Sequence, residues 1–366
     1  MVMVRGQFHA DIGGLWKNLR LCHLLCLNES NSLCLLDRHS LILPNGMVRE
    51  MPDKSAKATR IAVIGTGAVG STTAYTLLLH KRMSELVLID VNKDKARGDA
   101  LDMNHGLPFV GNVRVWAGDY EDCKDADIIV VTAGAAQKPG ETRQDLLKRN
   151  VKIFESIIEN VTKYNTTGIL LIATNPVDVL SYFSWKKSGW PANRVIGSGT
   201  LLDSARFRYL IAEELNIDPR SVHAHIIGEH GDSELPVWSR ANVAGLQVDI
   251  PRERQEEIFH NTRDAAYEII SAKGATFYAI ALALDRICAA ILRNEQSVLT
   301  VSTLISGHYD LEEVYLGVPC IVDHSGVREI LDLELSAEEQ ELLRKSARTL
   351  KSHIDEISVG KDADAP

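Results

Sequence analysis

The chain has few cysteines, no basic block and no long apolar run, and each shortage excludes something. Six cysteines in 366 residues, with Cys22, Cys26 and Cys34 near the start and Cys123, Cys288 and Cys320 scattered beyond, do not make a disulfide framework. The three later ones are expected in or near the core of a protein kept in a reducing compartment, which fits the cytoplasm. Cys22, His23 and Cys26 lack a second ligand pair at a suitable spacing, so no metal is assigned. With 49 acidic against 40 basic residues the net charge is −9, which argues against a nucleic-acid or membrane-surface binder. No stretch of about eighteen apolar residues offers a membrane span. Internal repeats and low-complexity linkers are also lacking.

What remains is ordinary globular composition, 45% apolar and 24% charged, in a chain long enough for about two domains. Residues 1–57 carry no sustained period. Their apolar cluster, Leu19 to Leu27, is interrupted by Arg20 and His23 and is too short for a secretory core. This segment reads as a non-core extension or misassigned leader, with Met47 or Met51 as alternative starts, and a chain beginning at Met51 is expected to fold and keep its activity.

From Arg60 the pattern becomes regular. Ile61 to Ile64 is an apolar strand, and Gly65-Thr66-Gly67-Ala68-Val69-Gly70 leads into a helix expected from about Ser71 to His80. This is GxGxxG between a strand and a helix: Gly65 for the tight turn, Gly67 for close approach to a pyrophosphate, Gly70 for helix–strand packing, with Ala68 and Val69 inside the turn. The next strand, Leu86 to Ile89, ends in Asp90, twenty residues past Gly70. A carboxylate there accepts ribose hydroxyls and repels a 2′-phosphate, which favours NAD over NADP.

Further strands are expected at Val113–Ala117, Ile128–Thr132 and Ile169–Ala173, with a helix between the last two. Alternating strands and helices imply an α/β fold, a Rossmann-type doubly wound parallel sheet over residues 58–198. Ligands bind such sheets outside the carboxyl ends of the strands, so Thr132-Ala133-Gly134 and Thr174-Asn175-Pro176 should face the cofactor. Residues 199–366 read as an α+β substrate and catalytic domain, with a helix from Leu202 to Leu215, a strand from Val222 to Ile227, one or two helices within Glu256–Arg293, and a last helix over Ser336–Ile357.

His230 is the best acid/base candidate among twelve histidines, set between Glu229 and Gly231 at a strand end. Asp203 and Arg206 share a helix face three residues apart. With a nicotinamide-type fold, these groups point to hydride transfer between NAD and a carbon bearing a hydroxyl.

The sequence resembles the L-lactate dehydrogenase family, bacterial type, within the lactate and malate dehydrogenase superfamily. The motifs that carry the resemblance are GTGAVG, TAGAAQKPGETR, ATNPVD, GSGTLLDSARFR, GEHGDSELPVWS and KGAT at Lys273 to Thr276. It runs from about Arg60 to the C-terminus. It implies His230 as catalytic acid/base with Asp203 as partner, Arg206 as clamp for the substrate carboxylate, and Arg143 on a closing loop from Gln137. It also implies that Asn175 donates to the substrate oxygen, Thr276 lines the pocket and Ile280 packs on the nicotinamide. The implied substrates are pyruvate and L-lactate, and the implied assembly a homotetramer or dimer. Arg208 and His223 match the positions that bind fructose 1,6-bisphosphate in bacterial members. Gln137 stands where malate dehydrogenases carry arginine, which separates the lactate reading from its nearest rival. A non-catalytic protein retaining the fold is the more distant alternative, opposed by the intact catalytic set.

Overall fold

The computed structural model describes residues 58–135 and 143–359, with three short strands in the N-terminal segment; the side chains of those strands, of Arg143 and of residues 357–359 lie outside the description. The chain divides into two units, Met1–Lys57 and Ala58–Pro366. In the first, β1 (Cys34–Asp37), β2 (Ser40–Ile42) and β3 (Val48–Glu50) form an antiparallel sheet that the irregular sequence did not announce. Cys22, His23 and Cys26 lie outside the described residues.

The second unit opens with β4 (Arg60–Ile64), α1 (Ala68–Leu79), β5 (Glu85–Ile89), α2 (Lys93–Val110) and β6 (Arg114–Ala117). It continues with β7 (Ile128–Val131), α3 (Arg143–Tyr164), β8 (Ile169–Ile172), α4 (Val177–Ser188) and β9 (Val195–Gly197). These six strands are parallel, in the order β6-β5-β4-β7-β8-β9. That is the doubly wound dinucleotide-binding order. Both faces of the central strands β4, β5, β7 and β8 are buried, which is why they read as apolar runs, while the edge strand β6 is partly exposed. Along β4, Ile61 and Val63 enter one core cluster, while Ala62 and Ile64 enter the cluster on the other face. The turn explains where α1 begins. It starts three residues ahead of the expected Ser71, inside the glycine motif, with Gly67 as its N-cap and no side chain on the first amides.

The remaining elements are α5 (Leu201–Leu215), β10 (Val222–His223), β11 (Ile226–Ile227), β12 (Leu235–Pro236), β13 (Asn242–Val243), β14 (Leu246–Gln247), α6 (Arg252–Lys273), α7 (Tyr278–Leu292), β15 (Ser297–His308), β16 (Leu311–Asp323), β17 (Gly326–Ile330) and α8 (Ala337–Val359). The single strand expected over Val222–Ile227 is two. β10 pairs with β13, and β11 with β12, the ladder breaking at Ala224 and His225. The expected helical stretch is broken at Gly274, which takes a left-handed φ of 84° and ends α6. The antiparallel β15-β16-β17 extends the parallel sheet to nine strands, joined where Ser302 pairs with Gly197. One core cluster runs across this junction, holding Leu171 and Ile196 together with Val301, Leu316 and Val318. Helix α7 is tied to the end of α1 by buried Asp285, which accepts two hydrogen bonds from Arg82 at 2.8 Å. Cys123, Cys288 and Cys320 are free and buried, as composition implied, and burial pushes the Cys123 thiol up to about 12.

Candidate active site

The dinucleotide turn is shaped by what its glycines leave out. A Cβ on Gly70 would lie 1.8 Å from the carbonyl oxygen of Gly65, so helix and strand can meet there only without a side chain. A Cβ on Gly67 would meet nothing within 4 Å, leaving an open cradle beside the uncapped amides of α1. Such free N–H groups at a helix start suit a pyrophosphate. Asp90 follows β5, its Oδ2 accepting from the Thr66 amide at 2.6 Å and its Oδ1 from the Asn92 amide at 2.8 Å. A carboxylate has lone pairs to spare for ribose hydroxyls beyond these two. The donor set and the cradle therefore fit a dinucleotide.

The neighbouring segments are stitched to this turn. Thr132 donates to the Gly65 carbonyl at 2.7 Å, and Thr174 to the Ala133 carbonyl at 2.8 Å. Asn150, two turns into α3 and not singled out by sequence, accepts from the Ala135 amide at 2.8 Å and donates to the Asn175 carbonyl at 3.1 Å. Gly134 and Asn175 are exposed at this end of the sheet.

His230 follows Gly228, whose left-handed φ of 95° lets the chain leave β11. Gly228 and Gly317 of β16 exchange two backbone hydrogen bonds of 2.8 Å, which anchor the start of the loop. The His230 imidazole, 24% exposed, donates from Nδ1 to Oδ2 of Asp203 at 2.5 Å, and Asp203 is 2% exposed. Arg206, one helical turn on, donates to Oδ1 of the same carboxylate at 2.8 Å. Burial works against a cation at His230, but the Asp203 carboxylate outweighs it and raises the imidazole to about 9. Burial likewise opposes charge on Asp203, yet His230 and Arg206 hold it below the usual carboxylate range. The result is an imidazole that favours its protonated form and holds its Nδ1–H on Asp203, beside a guanidinium.

A second carboxylate, passed over in the sequence, holds the backbone. Asp178, in the first turn of α4, accepts from the His230 amide at 2.7 Å and from the Ser302 hydroxyl at 2.6 Å. Burial pushes it up to about 6 against these donors. Its place two residues past Asn175-Pro176 in the ATNPVD motif was the available signal.

Other expected residues are placed less directly. Thr276 lies in the link before α7, and Ile280 in the first turn of α7, half-buried against the core. Among the described residues no hydrogen bond joins Thr276 or the Asn175 side chain to the His230 group. Arg143 is the first residue of α3, while Gln137 lies outside the described residues. Arg208 donates to the Ala224 carbonyl at 3.0 Å, and His223 is exposed on β10.

Comparison with known proteins gives the class first. Residues 59–197 match the lactate/malate dehydrogenase NAD binding domain, and residues 200–359 the lactate/malate dehydrogenase alpha/beta C-terminal domain; the chain belongs to this family, and its cofactor is NAD. Within the family it groups with the bacterial-type L-lactate dehydrogenases. It is 52% identical over 309 residues to L-lactate dehydrogenase of Acetivibrio thermocellus, covering 82% of this chain and 98% of that one. It is 54% identical over 299 residues to the Halalkalibacterium halodurans enzyme, covering 81% and 96%. Among solved structures, minor L-lactate dehydrogenase from Enterococcus mundtii in a ligand-bound form is similar with a TM-score of 0.80 at 45% identity, covering 82% of this chain and 98% of that one.

Proposed function

We propose that this protein is an NAD-dependent L-lactate dehydrogenase that interconverts pyruvate and L-lactate with His230 as acid/base. The observation that carries the mechanism is the buried Asp203–His230 pair with Arg206 on the same carboxylate. Asp203 holds the Nδ1 proton, so Nε2 is the nitrogen that exchanges a proton with the substrate oxygen. NAD, when bound, accepts or supplies the hydride. The turn from Gly65 to Gly70, with Ala68 and Val69, holds the pyrophosphate, Asp90 the ribose, and Thr132, Ala133, Gly134 and Asn175 border the nicotinamide end with Ile280 behind it.

Arg206 presents its remaining N–H groups to the substrate carboxylate, a task for a planar, bidentate cation. Asn175 donates to the reacting oxygen and Thr276 lines the pocket. Arg143 closes with the Gln137 loop, excludes water and stabilises charge on the reacting oxygen. His230 then protonates that oxygen when pyruvate is reduced and takes the proton back when lactate is oxidised.

The finer reading is a homotetramer or dimer acting in the cytoplasm, with fructose 1,6-bisphosphate as an activator bound by Arg208 and His223. Three facts support the effector site. Among the described residues Arg208 has no carboxylate partner; His223 stands exposed nearby in sequence; and burial, then the Arg208 charge, push His225 down to about 4. A guanidinium without a carboxylate counter-charge suits a phosphate. No helix among the described residues is long and apolar enough to cross a membrane.

The test is NADH oxidation with pyruvate by wild type and by His230→Asn. Wild type should turn over, and the variant should lose about 10²–10⁴-fold in kcat with the fold intact. Full activity in the variant would remove His230 from the mechanism.

A further inference from the structure

One buried acid in the site has no task in the mechanism above. Glu234 ends the loop that carries His230, just before β12, and is 6% exposed. Among the described residues its Oε1 has no hydrogen-bond partner. Its carboxylate, the Asp203 carboxylate and the His230 imidazole bring an atom each within 4.8 Å of one another. The charged groups that face it are Asp203 and Arg206 from α5, His230 from its own loop and Arg263 from α6. With the Arg206 guanidinium already on Asp203, a metal cation would be repelled from this cluster.

An ionised carboxylate that is buried and receives no donor on one oxygen is costly, and the neutral acid is the form such a place selects. Burial first, then the Asp203 charge, push Glu234 up to about 9, against the opposing pull of the three cations. His230 is raised to about the same value. Two groups this close do not titrate separately: loss of the proton from one changes the affinity of the other.

We infer that Glu234 is a positioning residue for the proton of His230, a buried neutral acid that shares the histidine's titration and sets the pH at which the imidazolium is lost. The inference rests on His230 being the acid/base. Once ionised, Glu234 places a second anion beside the imidazolium, so that His230 keeps its proton to higher pH. A neutral glutamine keeps the shape and cannot do this.

The experiment compares wild type, Glu234→Gln and Glu234→Asp. The alkaline limb of kcat/KM for pyruvate should move down by about one pH unit in Glu234→Gln, a tenfold loss on that limb, and return upward in Glu234→Asp. A merely structural Glu234 would lower activity alike at every pH, and coincident limbs in wild type and Glu234→Gln overturn the inference. A second readout does not depend on turnover. At about pH 7.5, where Asp178 is mostly ionised, the infrared carbonyl stretch of a neutral carboxyl should be present in wild type, absent from Glu234→Gln, and lost from wild type as pH passes 9. Absence of that band in wild type also overturns the inference. A wild type that ignores pyruvate would sink the lactate reading, while the infrared measurement would still decide Glu234.

Discussion

Replacing Asp203 by asparagine removes the anion on which both cations of the site depend. In wild type the imidazole of His230 is raised to about 9. At about pH 7.5 a group of that pKa is about 97% protonated. Without the carboxylate, burial is opposed only by the weaker pulls of Glu234 and Asp178, and a value back near the ordinary 6.5 leaves about 9% protonated. Pyruvate reduction at that pH should therefore fall about tenfold from protonation alone. Loss of the fixed tautomer adds to this; in serine-protease triads the same substitution costs about 10⁴ in kcat. The assay is kcat/KM for pyruvate from about pH 5.5 to 10, whose alkaline limb should move from near 9 down toward 6.5. Stability follows the same group. Because the folded pKa lies above the unfolded one, the contribution of His230 is fully present below about 6.5 and is lost as pH rises through about 9. The thermal midpoint of wild type should therefore decline across that window, and that of Asp203→Asn should be lower and flatter, since breaking a buried pair costs about 3–5 kcal/mol. An unmoved alkaline limb would refute the reasoning.

Gly70→Ala places a methyl 1.8 Å from a backbone oxygen that cannot turn away, so NADH affinity should fall by about tenfold or more in a fluorescence titration. Wild type should prefer pyruvate to oxaloacetate by about a hundredfold or more, because an uncharged Gln137 leaves the second carboxylate of oxaloacetate unpaired. Gln137→Arg should shift kcat/KM strongly toward oxaloacetate, and a wild type that already prefers it would overturn the lactate assignment. Fructose 1,6-bisphosphate should lower the apparent KM for pyruvate in wild type but not in Arg208→Gln; a wild type unmoved across a wide effector range would end that idea.

The dinucleotide half was legible because the central parallel strands β4, β5, β7 and β8 are buried on both faces and write themselves as apolar runs, whereas the three-residue β9 went unread. Ile61 to Ile64, its glycine turn and Asp90 needed no tertiary information. The strand over Val222–Ile227 was misjudged for the converse reason. Ala224 and Ile226 are buried like strand residues, but the two ends pair with different partners, and pairing is not written in the pattern. The hairpin β15–β16 went unread although it completes the sheet, since each strand joins exposed residues to a stretch buried on both faces and so shows no single period. Around the candidate site, His230, Asp203 and Arg206, which the fold brings together, were singled out through their motifs. Asp178, Asn150 and Glu234 were not, because in sequence a buried carboxylate or amide is indistinguishable from a solvated one.

The pairing of Ser302 with Gly197 has a consequence for anyone who would cut this chain in two. A fragment ending near residue 198 would carry β9 as an unprotected edge, with Ile196 and Leu171 stripped of the apolar partners that Val301, Leu316 and Val318 provide. An open, apolar strand edge invites self-association. The complementary fragment would keep His230 but lose Asp178, the acceptor for its backbone amide. Heat should accordingly undo residues 58–359 in one cooperative step, and the two halves named by family likeness are units of ancestry more than of folding.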